Sequence, residues 1–560
     1  MKSALFAGLI LCWAAIASPV QAQTLPPAQN PVREYSLTID RQPVAIGGKP
    51  VSKITVNGTI PGPVLRFTEG DEAVIHVTNA MKGEATSIHW HGLLLPGLMD
   101  GAPGFNGFKG IAPGETFTYR FKIRQSGTYW YHAHTLGQEA DGLYAGIVID
   151  PVAPDPIKAD RDYVVLLSDY HQDGAERILG NLKTSSEYYQ YNRRTVGDFV
   201  RDARTQGIGK ALRTAKDWGR MRMLPTDLSD VTGYRFLING MDQSWTGLFR
   251  SGERVRLRFI NASAMTMYDV RIPGLKMTVV AADGQPVQPV EVDEFRFGNA
   301  ETYDVIVTPE EDRAYTIAAE ALDRTGFALG TLASREGMTG EKPAPRSRAV
   351  LSMGDMNMEL MMRDDPYMDM SDMDLTSGWA KTGAPEGAKV LAYGDLKSLT
   401  PQPDLREPTR EIEVRLGGNM ERYIWTITAL KQQSGSASKS KVFDPKDGFT
   451  LGWNERVRLT YVNETMMAHP IHLHGMFTQL ENGQAAAERP NKHTVIVPPG
   501  QSVSVLLTAN EAGDWPFHCH LLFHMASGMM TTVTVAAPDA DLTPPESAKA
   551  KDQGAHHDHH

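Results

Sequence analysis

The residues with the most reactive chemistry are a cysteine and its neighbouring histidines near the end of the chain. They lie in the run His518-Cys519-His520-Leu521-Leu522-Phe523-His524, which is followed by Met529. A thiolate, two imidazoles and a weakly bound thioether are the ligands of a blue-copper electron-transfer site. A structural zinc site favours several cysteines or a compact Cys/His pattern, and a cysteine nucleophile does not need two adjacent histidines. The sequence therefore favours one copper ion at Cys519.

Eight histidines form four pairs in which one residue separates the two members. The pairs are His89 and His91, His132 and His134, His472 and His474, and His518 and His520. On a β-strand, residues i and i+2 point to the same face, so each pair can aim both rings in one direction. Eight imidazoles buried without a metal would leave many ring nitrogens without hydrogen-bond partners. The pattern therefore predicts a cluster of three copper ions rather than a set of structural core histidines.

The same alternation separates a second metal site from this cluster. Cys519 faces away from the two histidines that flank it. His469 is three residues before His472, so on a continuous strand it faces away from His472 as well. We therefore expect His469 and Cys519 to share one copper on the far side of the strands from the cluster. The backbone of Cys519 would join the two sites and offer a covalent route for electrons.

An internal repeat indicates how the chain positions these residues. The segments 70–79, 252–261 and 455–463 each alternate apolar and polar residues, and each ends in asparagine. Alternation of this kind, bounded by turn residues, predicts a strand. Repeated β-rich units of this size predict consecutive Greek-key sandwiches. The middle unit has no histidine between Phe249 and Pro309, so the cluster must form between the first and third units.

Properties of the whole chain exclude some function classes. The 560 residues carry a formal net charge of −10, which argues against a nucleic-acid partner. Lys2, the apolar run 4–17 and Val20-Gln21-Ala22 together predict a signal peptide over residues 1–22. Cys12 leaves with that peptide, so Cys519 is the only thiol of the mature chain. No later segment reaches the length of a membrane span, and we expect an exported, periplasmic protein.

The four histidine segments resemble the copper signatures of the multicopper oxidases, a family built from three cupredoxin domains. Within the family, the chain is most similar to the periplasmic copper-resistance oxidases. The stretches 57–63, 99–104 and 127–132 carry the likeness further. We therefore expect an all-β chain of three consecutive cupredoxin-like Greek-key sandwiches. The expected boundaries are 1–22 for the signal peptide, 23–155, 156–345 and 405–540 for the three domains, 346–404 for a Met-rich linker and 541–560 for a His-rich tail.

The resemblance implies four copper ions and a ligand set for each. His469, Cys519 and His524 would hold a type 1 copper, with Met529 as the weak axial ligand. His89 and His472 would hold a type 2 copper. The type 3 pair would take His91, His132 and His520 on one ion and His134, His474 and His518 on the other. Met530 is an alternative axial residue by chemistry alone, but the family spacing favours Met529.

Asp100 is the candidate for proton transfer. Reduction of dioxygen to water consumes four protons, and a carboxylate near the cluster could relay them. Asp100 resembles the acid that follows the first signature in related oxidases. The alternative is a plain turn aspartate in Asp100-Gly101. Some relatives carry a glutamate before the last histidine of the fourth signature, where this chain has Phe523, so a second relay residue stays unidentified.

A methionine-rich segment lies between the second and third domains. It contains Met353, Met356, Met358, Met361, Met362, Met368, Met370 and Met373, with several aspartates among them. Thioethers select Cu(I), so the segment could capture this ion near the type 1 site. The alternative is a flexible apolar surface or core filler. Met466 and Met467, just before His469, could line the access route or pack in the core.

Two further features are assigned to structure. Residues 193–223 are predicted as a helical insertion in the middle domain, a surface helix that packs through its apolar face, since Val196, Phe199, Val200 and Ala203 recur at helical spacing with polar residues between them. His76, His171 and His493 have no partner pattern and are interpreted as structural. The histidines of the tail 541–560 could bind metal.

The resemblance implies an exported multicopper oxidase that acts in copper tolerance. It would couple the one-electron oxidation of Cu(I), and of phenolic substrates, to the four-electron reduction of dioxygen to water. A laccase-type phenol oxidase is one alternative. A copper-sequestering binding protein, in which the methionine segment stores metal, is an alternative of another class.

Overall fold

The computed structural model describes residues 31–190, 195–220, 228–242, 245–348, 350–355, 377–431 and 448–538. The predicted signal peptide, the His-rich tail and residues 356–376 of the methionine segment lie outside these residues. The described chain is built mainly of strands, which form six sheets. The sheets pair into three sandwiches, and this confirms the predicted all-β fold class.

The first sandwich contains the first two histidine pairs. Its strands are β1 (Val32–Ile46), β2 (Lys49–Val56), β3 (Leu65–Thr68), β4 (Glu72–Asn79), β5 (His89–His91), β6 (Thr116–Lys122), β7 (Gly127–His132) and β8 (Tyr144–Asp150). They form two sheets in the orders β2-β1-β4-β6 and β3-β8-β7-β5. The strands that carry histidines therefore lie together at one edge of the second sheet.

The middle sandwich contributes packing surface and three helices. Its strands are β9 (Arg161–Tyr170), β10 (Arg235–Ile238), β11 (Thr246–Leu248), β12 (Val255–Asn261), β13 (Tyr268–Arg271), β14 (Met277–Ala282), β15 (Gln285–Val292), β16 (Glu294–Phe297), β17 (Thr302–Val307), β18 (Ala314–Ala321), β19 (Phe327–Ala333) and β20 (Val390–Leu391). The helices are α1 (Ala175–Thr184), α2 (Val196–Gln206) and α3 (Ile208–Arg220). The sheet orders are β10-β9-β12-β17-β14-β15 and β11-β19-β18-β13-β16-β20. Strand β20 comes from the predicted linker and extends an edge of the second sheet.

The third sandwich carries the cysteine and the remaining histidines. Its strands are β21 (Arg410–Asn419), β22 (Ile424–Lys431), β23 (Phe449–Leu451), β24 (Arg456–Asn463), β25 (His469–Leu473), β26 (Thr478–Leu480), β27 (Asn491–Lys492), β28 (Thr494–Val497), β29 (Ser502–Thr508), β30 (Gly513–Cys519) and β31 (Met530–Val535). The sheet orders are β22-β21-β24-β29-β26-β27 and β23-β31-β30-β25-β28. A short helix, Leu522–Ala526, follows β30 and contains His524.

The repeated segment of the sequence is the same strand in each sandwich. Strands β4, β12 and β24 lie inside their sheets, each parallel to the first strand of its domain. The asparagine that ends each one, Asn79, Asn261 or Asn463, is fully buried. Its side-chain amide donates to a backbone carbonyl of the following loop, and its oxygen accepts a backbone N–H two residues on. In the first and third domains that loop leads directly into a histidine strand, so the asparagine helps to fix where the histidines begin.

The helical insertion is present but packs differently from the prediction. Helices α2 and α3 lie within the predicted range, and Thr195 begins α2 with a capping box to Asp198. Val196 and Val200, predicted on the packing face, are 81% and 41% exposed. The apolar spacing therefore predicted the helix but not its burial, because burial depends on what the rest of the chain places beside it.

The first and third sandwiches contact each other directly. The side chain of Asn106 accepts from the backbone N–H of Asp514 and donates to its carbonyl, both at 2.8 Å. Arg124 pairs with Glu511 at 2.5 Å. In the described residues, no helix has the length and apolar character needed to cross a membrane.

Candidate metal centre

Backbone pairing brings the histidine strands of each domain side by side. In the first domain, β5 runs antiparallel to β7, with His89 opposite His132. In the third, β25 runs antiparallel to β30, with His472 opposite His518. The two domains therefore repeat one arrangement, in which His89 corresponds to His472 and His132 to His518.

The eight rings meet across the boundary between these two domains. His89 stacks on His474, and His91 stacks on His472, both with ring centroids 3.8 Å apart. His132 lies 5.1 Å from His520, and His134 lies 5.3 Å from His518, again between centroids. Each contact joins one ring of the first domain to one of the third. The cluster therefore forms only when both domains are present and docked.

Hydrogen bonds at Nδ1 fix most of these rings and leave Nε2 facing the centre. Four rings donate to backbone carbonyls: His89 to Asp100 at 2.9 Å, His132 to Ala133 at 3.0 Å, His472 to His493 at 2.7 Å and His518 to Cys519 at 3.0 Å. A fifth ring, His474, donates to the carboxylate of Asp100 at 2.8 Å. A second partner at Nδ1 fixes both the ring orientation and the tautomer of a ligating histidine.

The nitrogens that face the centre fit a metal. Among the described residues, Nε2 of His89, His132, His472 and His520 and both ring nitrogens of His91 are buried without a hydrogen-bond partner. Burial lowers the pKa of His91 and His132 well below the usual value, and the neighbouring rings lower it further. Neutral imidazoles with unshared electron pairs are what a transition metal binds. Three groups of three among the eight histidines have ring nitrogens close enough to share an ion: His89 with His472 and His474, His91 with His132 and His520, and His134 with His474 and His518. A fourth group joins His91 and His472 to His493.

A second site lies on the other side of β25 and β30. Sγ of Cys519 is 3.6 Å from His469 Nδ1 and 3.8 Å from His524 Nδ1, and the two nitrogens are 3.1 Å apart. All three residues are completely buried. The far nitrogen of each ring is anchored, His469 Nε2 by Thr465 Oγ1 at 2.7 Å and His524 Nε2 by Asp230 Oδ2 at 2.6 Å. The structure thus brings together the thiol and two imidazoles predicted for one copper.

Met529 lies next to this second site. Its backbone carbonyl accepts from the N–H of Cys519, and its N–H donates to the carbonyl of His524, both at 3.0 Å. Its side chain is completely buried, whereas Met530 is partly exposed. The backbone contacts with Cys519 and His524 and the complete burial of its side chain agree with the expectation of Met529, rather than Met530, beside the site.

Asp100 contacts cluster histidines of both the first and the third domain. Its Oδ2 lies 2.8 Å from His474 Nδ1, and its Oδ1 lies 3.3 Å from His89 Nδ1. The carboxyl group is buried, so Asp100 is more than a turn residue. The turn is still essential, because Gly101 has a φ of +80° and a Cβ there would lie 1.7 Å from the carbonyl oxygen of Ile88.

Replacement of Gly101 by alanine tests how strictly this turn positions Asp100. We expect Gly101→Ala to lower the free energy of unfolding by at least about 2 kcal/mol, because it adds a steric clash to a strained φ, and to reduce cluster metal. Gly104→Ala is the matched control, since Gly104 has a φ of +91° but open space around its Cβ. Thermal unfolding and metal content measure both effects. Equal losses in the two variants would contradict a role for the Gly101 contact.

Sequence reasoning missed three residues at these sites. Asp230 bonds His524, Glu139 lies 2.9 Å from His132 Nδ1, and the ring of His493 lies 4.8 Å from that of His91. No local pattern marks them: Asp230 reaches His524 from another domain, and Glu139 reaches His132 only because the loop after β7 folds back on the strand. The structural interpretation of His493 omitted its place beside the cluster, where its carbonyl anchors His472.

Fold and sites together define a class: a protein of three β-sandwiches with one thiolate metal site and one all-histidine site between its first and third domains. Sequence profiles of the multicopper oxidases match residues 38–154, 161–337 and 406–539. Copper resistance protein A of Escherichia coli is 43% identical over 90% of this chain and 92% of its own length. The chain belongs to the multicopper oxidase family. It is therefore an oxidoreductase whose resident metal is copper.

Two further comparisons agree with this assignment. Multicopper oxidase MmcO of Mycobacterium tuberculosis is 32% identical over 89% of this chain and 86% of its own. The crystal structure of Fet3p, a multicopper oxidase that functions in iron import, superposes with a TM-score of 0.63 over 90% of each chain at 20% identity. The second comparison supports the fold alone.

Proposed function

We propose that the protein binds four copper ions with the ligands predicted above and acts as a cuprous oxidase in copper tolerance. The Cys519 site would hold type 1 copper, and the eight-histidine cluster would hold the type 2 ion and the type 3 pair. Bound copper would supply one-electron redox chemistry at the first site and reduction of dioxygen to water at the second. The name of the Escherichia coli relative supports a role in copper resistance.

The residues of the chain join the two sites by a short route. Cys519 is covalently linked to His518 and His520, which face the cluster from the same strand. His524 connects the Cys519 site to the middle domain through its hydrogen bond to the buried Asp230. Electrons taken up near Asp230 would therefore cross from the middle to the third domain along this hydrogen bond and reach the cluster through His524 and Cys519.

The observation that carries the Cu(I) assignment is a small cavity beside Asp230. It is lined by Asp230, Asp323, Met265, Met267, Met467 and five other residues of the same neighbourhood, with Leu521 next to the cluster strand. Thioether sulfurs are soft ligands that select Cu(I) over harder cations. Met265 is also tied to the short helix, because the backbone N–H of Phe523 lies 3.5 Å from its Sδ. A soft cation in this cavity would lie one hydrogen bond from His524.

The size of the cavity favours an ion over an organic substrate. Its volume is about 20 Å³. A cavity of about 10–15 Å³ holds one water, whereas one that binds benzene measures about 150 Å³. Within the described residues, this cavity admits a single ion but no aromatic ring. Phenolic substrates would have to give up their electrons from outside it.

The methionines of the cavity provide the test. We expect the triple variant Met265→Leu, Met267→Leu, Met467→Leu to lower kcat/KM for Cu(I) by about 10–100-fold, the range seen when the surroundings of a bound metal are altered. Oxidation of a simple phenol should fall far less, because leucine preserves side-chain volume. Oxygen uptake with each substrate measures both rates.

The control is Met277→Leu, which removes a fully buried thioether from the core of the middle domain, away from the cavity. It should leave the ratio of the two activities unchanged. Equal losses of Cu(I) and phenol oxidation in the triple variant would contradict the substrate assignment and favour the laccase-type alternative. A large, variable copper content without oxygen uptake would favour sequestration. We further propose export to the periplasm, which cleavage after Ala22 in the mature protein would support.

A further inference from the structure

The loop between β7 and β8 places a second buried carboxylate against the cluster. Oε2 of Glu139 lies 2.9 Å from Nδ1 of His132, and the two side chains are 4% and 3% exposed. Its other oxygen, Oε1, has no hydrogen-bond partner among the described residues. Among those residues, Asp100 and Glu139 supply the carboxylates that lie within 3.3 Å of a ring nitrogen of a cluster histidine.

Folding alone gives no reason for a carboxylate at this position. A buried polar atom without a partner is unfavourable by about 1–3 kcal/mol, so an apolar side chain of similar size would stabilise the loop more. The unpartnered oxygen therefore indicates that Glu139 serves the histidine it contacts.

The ring of His132 needs a contact at Nδ1 that fixes which of its edges faces the cluster, and Glu139 lies at that nitrogen. Trp130 stacks on it with centroids 4.2 Å apart and planes 15° from parallel. Stacking fixes the plane of the ring but still permits a half-turn about the Cβ–Cγ bond, which would place the carbon Cε1 where Nε2 now faces the cluster. The Nδ1 hydrogen bond to the carbonyl of Ala133 at 3.0 Å, with Oε2 of Glu139 2.9 Å from the same nitrogen, selects the orientation in which Nε2 faces the cluster.

We propose that Glu139 is a positioning residue of the copper cluster, which accepts the Nδ1–H of His132 and holds Nε2 toward the type 3 copper. The inference rests on the proposed ligation of copper by His132. A carboxylate behind a ligating histidine fixes its tautomer and raises its basicity, and its loss costs about 10–100-fold in metal affinity. Asp100 has the same relation to His474 on the other side of the cluster.

The loop is held rigidly enough for this role. Gln138, the residue before Glu139, accepts from Thr86 Oγ1 at 2.7 Å and donates to the carbonyl of Ala85 at 2.8 Å. On the other side, Lys53 Nζ donates to the carbonyl of Ala140 at 3.1 Å. These bonds attach the loop to two separate parts of the first domain, so the carboxylate approaches His132 from a fixed direction.

The test compares the copper-loaded full chain with Glu139→Leu and Glu139→Gln. We expect Glu139→Leu to lower the affinity for type 3 copper by about 10–100-fold, measured by chelator competition. Its coupled copper pair should become visible by electron paramagnetic resonance as one ion is lost. Glu139→Gln keeps an amide oxygen as acceptor and should recover most of the affinity. The blue absorption of the Cys519 site should be the same in all three proteins.

Gln138→Leu is the matched control, because it loosens the same loop without contacting His132. Unchanged type 3 affinity in Glu139→Leu, or an equal loss in Gln138→Leu, would overturn the inference. If Glu139→Leu does not fold, Glu139→Asp replaces it, because the shorter side chain does not bring its carboxylate to His132. An affinity for type 3 copper equal to that of the wild type would then count against the inference. Failure of the proposed function looks different, since the wild type itself would then lack a coupled copper pair, and the inference would fall with it.

Discussion

Replacement of Cys519 by serine should abolish oxidase activity while leaving the histidine cluster loaded with copper. Serine keeps the shape of the side chain but offers a hydroxyl that stays protonated and is a poor ligand for copper. The type 1 site would lose the one ligand that no neighbour can replace, because the described residues contain no other cysteine. Removal of one member of a catalytic unit costs about 10⁴-fold or more in kcat, and we expect a loss of this size with Cu(I) and phenol alike.

Three measurements on Cys519→Ser make this result specific. Metal analysis should find one copper fewer per chain, the blue absorption should be absent, and the signals of the cluster should persist. Because Cys519 is buried at the centre of the third domain, thermal unfolding must show that the variant is folded. Residual activity within about tenfold of wild type would mean that electrons reach the cluster without this residue, and the route through His524 would be wrong.

The second large effect is expected at Asp100. Asparagine has the same shape and can still accept one hydrogen bond from His89 or His474, so the cluster should stay assembled. It cannot take up and release a proton, however, and a positioned acid–base group contributes about 10²–10⁴-fold to a rate. We therefore expect Asp100→Asn to lower kcat for dioxygen reduction by a factor in this range, at nearly full copper content.

The two halves of the reaction separate this role from a structural one. Without oxygen, a reductant should bleach the blue absorption of Asp100→Asn as fast as that of wild type, because electrons enter at the other site. When oxygen is added, the return of the blue absorption should be slow. Slow bleaching, or loss of cluster copper, would indicate that Asp100 mainly supports the fold of the site. Asp100→Ala, which removes the carboxylate that accepts from His474, should lose copper and shows the result expected of a purely structural role.

Strand alternation predicted which of the candidate ligands lie on the same side of the strands, whereas His524 and the ligand set of each copper were expected from the family resemblance. On a strand, the one-residue spacing of His518 and His520 makes their rings face one way and the thiol of Cys519 the other. The structure has the thiol beside His469 and His524, and the flanking rings in the cluster. The three Asn-ended segments likewise predicted three sandwiches, because alternation and turn residues are properties of the chain read in order.

The tertiary structure alone decided which distant residues support these histidines. Asp230 reaches His524 across 294 positions of sequence, and Asp100 reaches His474 across 374. The cavity beside Asp230 follows from how the middle and third domains pack, and the place of Glu139 behind His132 follows from how the loop after β7 folds back within the first domain. The candidate ligands could be predicted from the sequence because residue type, and the face of a strand on which a residue lies, are local properties. The hydrogen-bond partners of these ligands could not be predicted, because a hydrogen bond between domains depends on how the domains dock. No spacing in the sequence indicates that docking.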